Sequence, residues 1–548
     1  MALAACFWAG GAQAQSTAPV GPDLRVGDLR GQFDTVFGNV TPPGTKAWNI
    51  IYGVGLSETY DDGVTVRNRF GADLITRISP TIAITANSSR IQGNIYYAPS
   101  LNLYTFHGNQ TYIGQNLNGS LTGIVVPDLA FIDVRAYASQ GPSYGGQTVT
   151  TYGSQGQVQT TSVSIAPRLE HRFGGTGTAL LGDTLTRTET KSSNGSNNNA
   201  NTATNTNATT FNPYVPRVVN GTSITNTQHA NFTTGEDFGR FNDSLDLINS
   251  DTQGNGAVPS SHRLIYGTDA SYALSRVFTL TGAVGHETIN YGTGQLAIDD
   301  FTWSGGIRIT PDPDNSLSLS YGHHDGANAF SLDATIAPTA RSRVFLRYGQ
   351  TIGTQQEQLQ NNLLASRTSA TGVSYDPVTG APVQLNNNFT TGAQQQVYRT
   401  TTASATGVLT YDREVFTASI ARDDQQVLTG GGNATTGTAT TGAGTVGGAT
   451  PVSSSGYHGS FAWTHTVSPD LFANATLQYS VRSAPFRLAG TPATNAQQTT
   501  LVVNLSLNYT LSQTVTALLQ YTRINTTGAT YGQPPRHDIA TLSLQKTF

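Results

Sequence analysis

His458-Gly459-Ser460 sets an imidazole two residues before a hydroxyl. That reach lets a base activate a serine nucleophile. Gly141-Pro142-Ser143-Tyr144-Gly145 has the G-x-S-x-G form of a nucleophile elbow, which works only on a strand-to-helix turn. Gly322-His323-His324-Asp325-Gly326 places two imidazoles beside a carboxylate, which could ligate a metal if the side chains converged. Asp61-Asp62-Gly63, Asp299-Asp300 and Asp423-Asp424 are acid pairs that could meet calcium or lipid headgroups. A phosphate-binding loop and an H-E-x-x-H motif are both missing. What any of these groups does depends on where its side chain points, so the elements that carry them come next.

The chain has 548 residues, with 11% charged and 37% hydrophobic. Ordinary soluble proteins carry about 25% charge, so this chain is poor in charge and in grease together. The remainder is rich in Gly, Thr, Ser, Asn and Gln. A net charge of −4 gives no basic excess for nucleic acid. One cysteine, Cys6, rules out a disulfide framework or a multi-cysteine zinc site. No apolar run reaches the roughly 18 residues of a membrane helix.

From Trp48 onward the sequence alternates. Trp48, Ile50, Tyr52, Val54 and Leu56 share one face, against Asn49, Gly53, Gly55 and Ser57. Period two is the strand signature. It recurs to the end, as in Leu471, Ala473, Ala475, Leu477 and Tyr479 against Asn474, Thr476 and Gln478. These runs match the roughly nine to eleven residues or more of a tilted membrane strand. Gln355 to Ser366, inside a polar connection, is the best helical stretch and a weak one.

Short turns and long polar connections take turns along the chain. Asn87-Ser88-Ser89, Pro127-Asp128, Gly174-Gly175, Ser275-Arg276 and Ser468-Pro469-Asp470 are among the short ones. Lys191 to His229, Gly353 to Gln394 and Gln425 to Ser455 are among the long. An all-β, transmembrane antiparallel outer-membrane β-barrel is built this way, with short periplasmic turns and long extracellular loops. The expected count is about 22 strands, within roughly 18–24. Its weakest stretch is Ala179 to Leu247, where three strands rest on poor alternation. An even count puts both termini in the periplasm of a Gram-negative cell.

Residues 1–14 read as a signal peptide with a truncated n-region, ending in Ala12-Gln13-Ala14. A rival reading takes Leu3-Ala4-Ala5-Cys6 as a lipobox. Residues 15–46 form a periplasmic segment or small plug, and 47–548 a single barrel. The shortness of 15–46 argues against a TonB-dependent transporter. The last strand carries Ala540, Leu542, Leu544, Lys546 and Phe548 on one face. Leu542, Leu544 and terminal Phe548 are the expected signal for the barrel-assembly machinery. The other partner expected on the same grounds is outer-membrane lipid.

Alternation assigns a lumen-facing set: Arg69, Asp73, Arg77, Gln92, Asn94, Tyr96, Asp133, Arg135, Arg168, Glu170, Arg172, Arg308, Asp333, Arg343 and Arg347. These could set the selectivity of a passage, or pair across strands and stiffen the wall. Lumen amides and tyrosines would suit a sugar polymer. His458 and Ser460 also face the lumen, since Phe461 and Trp463 take the lipid side. Membrane-barrel phospholipases share the His-x-Ser spacing but would want it facing lipid. His323 and His324 point to opposite faces, and the acid pairs read as solvated rim turns. No catalytic residue, metal or cofactor is assigned. A barrel this wide must be filled or gated, because open porins use about 16–18 strands.

Trp48 to Asp62 (WNIIYGVGLSETYDD), Ala72 to Leu103, Gly285 to Tyr291 (GHETINY), Phe301 to Tyr348 and Gly459 to Ser480 (GSFAWTHTVSPDLFANATLQYS) carry a family likeness. In order and spacing they resemble the outer-membrane β-barrel proteins associated with the PEP-CTERM/exosortase exopolysaccharide system. The likeness departs in the inserts near Ser192 to Thr210 and Thr429 to Thr450. It implies a link to exopolysaccharide export, with the polymer and periplasmic export components as partners. It supplies no catalytic residues. A non-transporting structural or polymer-anchoring protein and a general porin are the alternatives, and a barrel enzyme comes last.

Overall fold

The computed structural model describes residues 47–66, 69–108, 111–142, 157–192, 220–256, 258–292, 296–368, 374–375, 397–428, 449–451, 453–488, 494–527 and 536–548. The signal peptide, the 15–46 segment, most of both inserts and Ser143 to Gly145 of the G-x-S-x-G motif lie outside these residues.

One sheet of 25 segments makes up the wall. Ile91–Tyr97 continues as Ser100–Tyr104, Tyr112–Gly114 as Leu117–Val126, and Ala449–Pro451 as Ser453–Ser468. Counting each of these as one strand leaves a closed antiparallel barrel of 22 strands. Closure is direct: the last strand, Arg536–Thr547, pairs with the first, Trp48–Val66. The doubtful stretch holds three strands, Gly177–Ser192, Gly221–Thr234 and Phe241–Gly256. The turn between the last two, around the 3-10 segment Glu236–Phe238, has no clear signal in the sequence.

Unbroken strands run from 10 residues, as in Asn315–His324, to 19, as in Trp48–Val66. At one end of the barrel the connections are tight; this is the turn end. Strands bulge beside several of these turns, as at Ile309/Asp312, Ile336/Thr339 and Thr510/Ser512. Asp312 Oδ1 accepts the N–H groups of Asp314 and Asn315, each at 3.0 Å, which closes one turn. The opposite, loop end carries the long connections. Trp48 and Phe548 both sit at the turn end, where the Phe548 N–H donates to the Tyr52 carbonyl at 2.8 Å.

The two faces separate cleanly. Leu56, Leu181, Leu247, Phe301, Leu505 and Leu542 are exposed on the outer wall. Ser57, Thr186, Thr302, Ser506 and Thr541 are buried on the inner one. Inner hydroxyls bond across neighbouring strands: Thr59 to Thr541 at 3.0 Å, Ser162 to Thr188 at 2.9 Å, Thr225 to Thr252 at 3.0 Å, Ser419 to Ser460 at 2.7 Å. Such pairs satisfy a polar wall without charge. The low charge and low apolar content of the chain follow. An apolar concavity of about 1050 Å³ lies on the outer wall among Leu181, Phe232, Leu247, Tyr266, Val284 and Phe301. Among the described residues no helix is long and apolar enough to cross a membrane.

The outer wall makes a quantitative demand. Leu505→Arg, set mid-strand on the lipid face, is expected to cost about 2–4 kcal/mol. The urea midpoint of the folded barrel in lipid would measure it. The neighbouring Ser506→Thr, on the lumen face, should leave the midpoint unchanged within error.

Candidate functional site

A helix enters the lumen at the loop end. It spans Gln355–Ala365 and follows the strand Ser342–Gly353 without a linker. Its start is a capping box. Thr354 Oγ1 accepts the Glu357 N–H at 3.2 Å, and Glu357 Oε2 accepts the Thr354 N–H at 2.8 Å. Two N–H groups left over at a helix start are thereby satisfied reciprocally. At 11 residues the helix is marginal alone, so its docking must stabilise it. Gln356, Leu359, Gln360 and Leu363 are its buried stripe, at helical spacing.

That stripe matches the wall it meets. Leu359 and Leu363 pack on Tyr137, in the strand Ala130–Pro142. Gln360 Nε2 donates to Thr188 Oγ1 at 3.0 Å and to Ser223 Oγ at 3.3 Å, while its Oε1 accepts from Thr225 Oγ1 at 3.1 Å. Glu357 Oε1 accepts from Ser261 Oγ at 2.8 Å and Oε2 from Tyr291 Oη at 3.0 Å. Gln358 Nε2 donates to Thr400 Oγ1 at 3.4 Å, back beside the strand that launched the helix. A rod of about 16 Å is thus tied to strands well separated around the barrel. The weakness of its sequence pattern has a physical source: two of its four buried side chains, Gln356 and Gln360, are amides.

Below the helix anchor lies a buried charge network. Arg263 Nη2 donates to Asp325 Oδ1 at 2.6 Å, His324 Nδ1 is 3.2 Å from Asp325 Oδ2, and Arg399 Nη2 donates to the Asp325 carbonyl at 3.1 Å. Glu287 Oε1 accepts the Gly326 N–H at 3.1 Å. Asp325 and Gly326 both have positive φ, 54° and 65°. Asp-Gly is the pair that a two-residue hairpin turn of this hand demands. Asp325 is fully sealed from solvent. Burial alone would push its carboxyl up, but Arg263, then His324 and Arg399, outweigh it and hold it below the usual carboxylate range. Ile289, Tyr291, Ile298, Ile352 and Val397 pack beside the network as a small apolar cluster.

The expected lumen set falls into three groups. Asp133 and Glu170 bind Arg168, at 2.8 and 2.6 Å, with Phe131 beneath its guanidinium, and Arg135 is buried nearby on the same face. Asp333 pairs with Arg347 at 2.9 Å, Arg343 with Asp314 at 3.5 Å and Arg172 with Glu236 at 3.6 Å, all toward the turn end. Cross-strand pairing therefore accounts for much of this charge. Gln92 is exposed by the turn at Ser88, Asn94, Arg77 and Arg308 are half-buried on the wall, and Tyr96 packs on Ala83 and Ala98. The Arg69 side chain lies outside the described ones. Asp73 is completely buried and bonded to His107 Nδ1 at 2.7 Å.

Some expectations need correcting. The acid pairs are not all solvated turns: Asp61 and Asp423 are buried on the lumen wall, because each falls within a strand whose inner face is covered. His458 lies 3.5 Å from Asp423 Oδ2, and the Ser460 hydroxyl is shared with Ser419. The pair faces the lumen as the alternation predicts. Of the G-H-H-D-G run, Asp325 is the centre of the network and His324 one of its partners, while His323 bonds Asn328 instead. The capping box is legible in the sequence as Thr354-x-x-Glu357.

No protein-family model matches the sequence, and no curated protein matches it. Among solved structures the barrel is similar to the FrpB iron transporter of Neisseria meningitidis. The F5-1 variant aligns with a TM-score of 0.51 and 10% identity, over 91% of this chain and 82% of that one. The F3-3 variant aligns with a TM-score of 0.51 and 10% identity, over 94% and 83%. At that identity the likeness is one of fold alone.

Proposed function

We propose that this chain is an outer-membrane transport barrel whose polar lumen is closed at the loop end by the Gln355–Ala365 helix and opens when that helix leaves the wall. In this reading the turn end and both termini are periplasmic, and the loop end faces outward. Gln360 carries the argument, since it spans Thr188, Ser223 and Thr225 with an amide rather than an apolar side chain. A plug held by amide–hydroxyl bonds can be exchanged for the hydroxyls of a passing solute at little net cost. Sugar chains suit such a wall, and exopolysaccharide is the cargo proposed. Leu542, Leu544 and Phe548 serve as the assembly signal, their side chains lying on the outer wall.

Single-channel conductance in planar bilayers tests the gate. The full chain should be nearly silent, and deletion of 354–366 should give steady openings. Silence from both sinks the passage. A deletion strain tests the cargo: polymer trapped within the cell supports export, and polymer shed into the medium supports anchoring instead. A second reading, iron uptake, is favoured by the fold shared with FrpB. It expects the deletion strain to grow poorly on scarce iron, with normal polymer.

A further inference from the structure

Where the barrel closes on itself, three potential ligands meet. The seam ladder runs from Gly53 opposite Thr547 to Asp61 opposite Ile539. Beyond that point the first strand bulges between Asp61 and Val64. Side chains carry the seam from there. The Asp62 carboxylate accepts the Asp538 N–H at 2.7 Å. Asp61 Oδ1 accepts the Gly63 N–H at 2.8 Å and meets His537 Nε2. One ligand atom from each of Asp61, Asp62 and His537 lies within 4.8 Å of the others.

The charges there call for a cation. Asp61 stands directly opposite Asp73 in the strand pairing, and both are sealed from solvent. Like charges directly opposed destabilise a sheet, and a buried charge needs a partner. Each carboxylate touches an imidazole, His537 for Asp61 and His107 for Asp73. Asp73 is further satisfied by the N–H groups of Leu74 and Phe106. Asp61 Oδ2 is buried and accepts no hydrogen bond among the described residues. Gly63 lies over the His537 ring so closely that a Cβ there would come within 2.5 Å of it. The ring is therefore held against the bulge and the carboxylates.

We propose that Asp61, Asp62 and His537 bind a divalent transition cation, zinc being the best match, which clips the barrel seam at its loop end. One imidazole nitrogen and two carboxylate oxygens form a set that zinc takes. Magnesium and calcium prefer shells made wholly of oxygen. The ligands come from the first and last strands, so the cation would tie the two ends of the sheet together. It would also offset the opposed charges of Asp61 and Asp73.

Zinc alone, titrated into the chelator-stripped full-length barrel in detergent, tests this against a competing chromophoric chelator. The expected result is one zinc per barrel and a higher unfolding temperature, as binding to the folded state alone requires. Asp62→Asn and His537→Gln should each weaken binding by more than the roughly 10–100-fold cost of losing an outer-shell partner. Both should abolish the zinc-dependent rise, whereas Leu364→Ala, on the exposed side of the lumen helix, should keep it. If the seam variants fail to assemble, the wild-type barrel decides. Cobalt should then show the visible bands of nitrogen–oxygen ligation. Absence of stoichiometric zinc, wild-type affinity in both seam variants, or cobalt spectra without nitrogen–oxygen bands overturns the proposal.

Discussion

Glu357→Ala is expected to turn a silent barrel into a conducting one. The carboxylate accepts from the Thr354 N–H, Ser261 Oγ and Tyr291 Oη. Removing it breaks the capping box, worth about 1 kcal/mol, and two side-chain bonds to a charged group, worth about 1.5–3 kcal/mol each. The terms are not additive, so about 3 kcal/mol is a fair expectation. Each 1.4 kcal/mol is about tenfold, which moves the balance between docked and released helix by about 100-fold. Glu357→Gln keeps an acceptor for Thr354 but loses the charge, and should fall between. Leu364→Ala sits on the exposed side of the helix and should change little. Open probability in planar bilayers ranks the three. If Glu357→Ala stays as silent as the parent while folding normally, the helix does not gate the lumen.

The wall was readable and the plug was not, for one reason. Lipid and lumen impose opposite chemistry on alternate residues, so Leu501, Val503, Leu505 and Leu507 against Asn504, Ser506 and Asn508 declare a strand without any neighbour being known. The same alternation, continued through weak stretches, brings the count to 22. Gly221–Thr234 was hard because Thr, Asn and Gln occupy both faces. The helix faces a wall of hydroxyls, so its buried stripe mixes Gln356 and Gln360 with Leu359 and Leu363 and carries little apolar periodicity. Its start signal, Thr354 to Glu357, depends on no neighbour and could have been found. Asp61 could not. Its burial depends on a bulge and on standing opposite Asp73, which only the pairing register reveals.

The second large effect is expected at Arg263. Arg263→Met should destabilise the barrel by about 3–5 kcal/mol, because it strands the carboxylate of Asp325 in a dry site. Asp325 has no exposed surface through which water could take over. The adjacent His324 and Arg399 soften the loss without replacing the 2.6 Å bond. Asp325→Asn keeps the turn, since Asn also tolerates positive φ, and removes the charge from the other side. The double variant should therefore recover part of the loss, and the size of that recovery measures the coupling. Acid should act like the mutation, with a definite sign. The folded carboxyl is held below its ordinary pKa of about 3.9. Its contribution is then complete above that value and is lost as pH falls through the lower folded one. Urea midpoints of the parent should show no effect of Asp325 titration from pH 8 to 5 and should fall below pH 4, while Asp325→Asn lacks this component of the fall. A parent whose midpoint drops between pH 7 and 5 by a component that Asp325→Asn removes would mean that burial, not Arg263, governs this carboxylate.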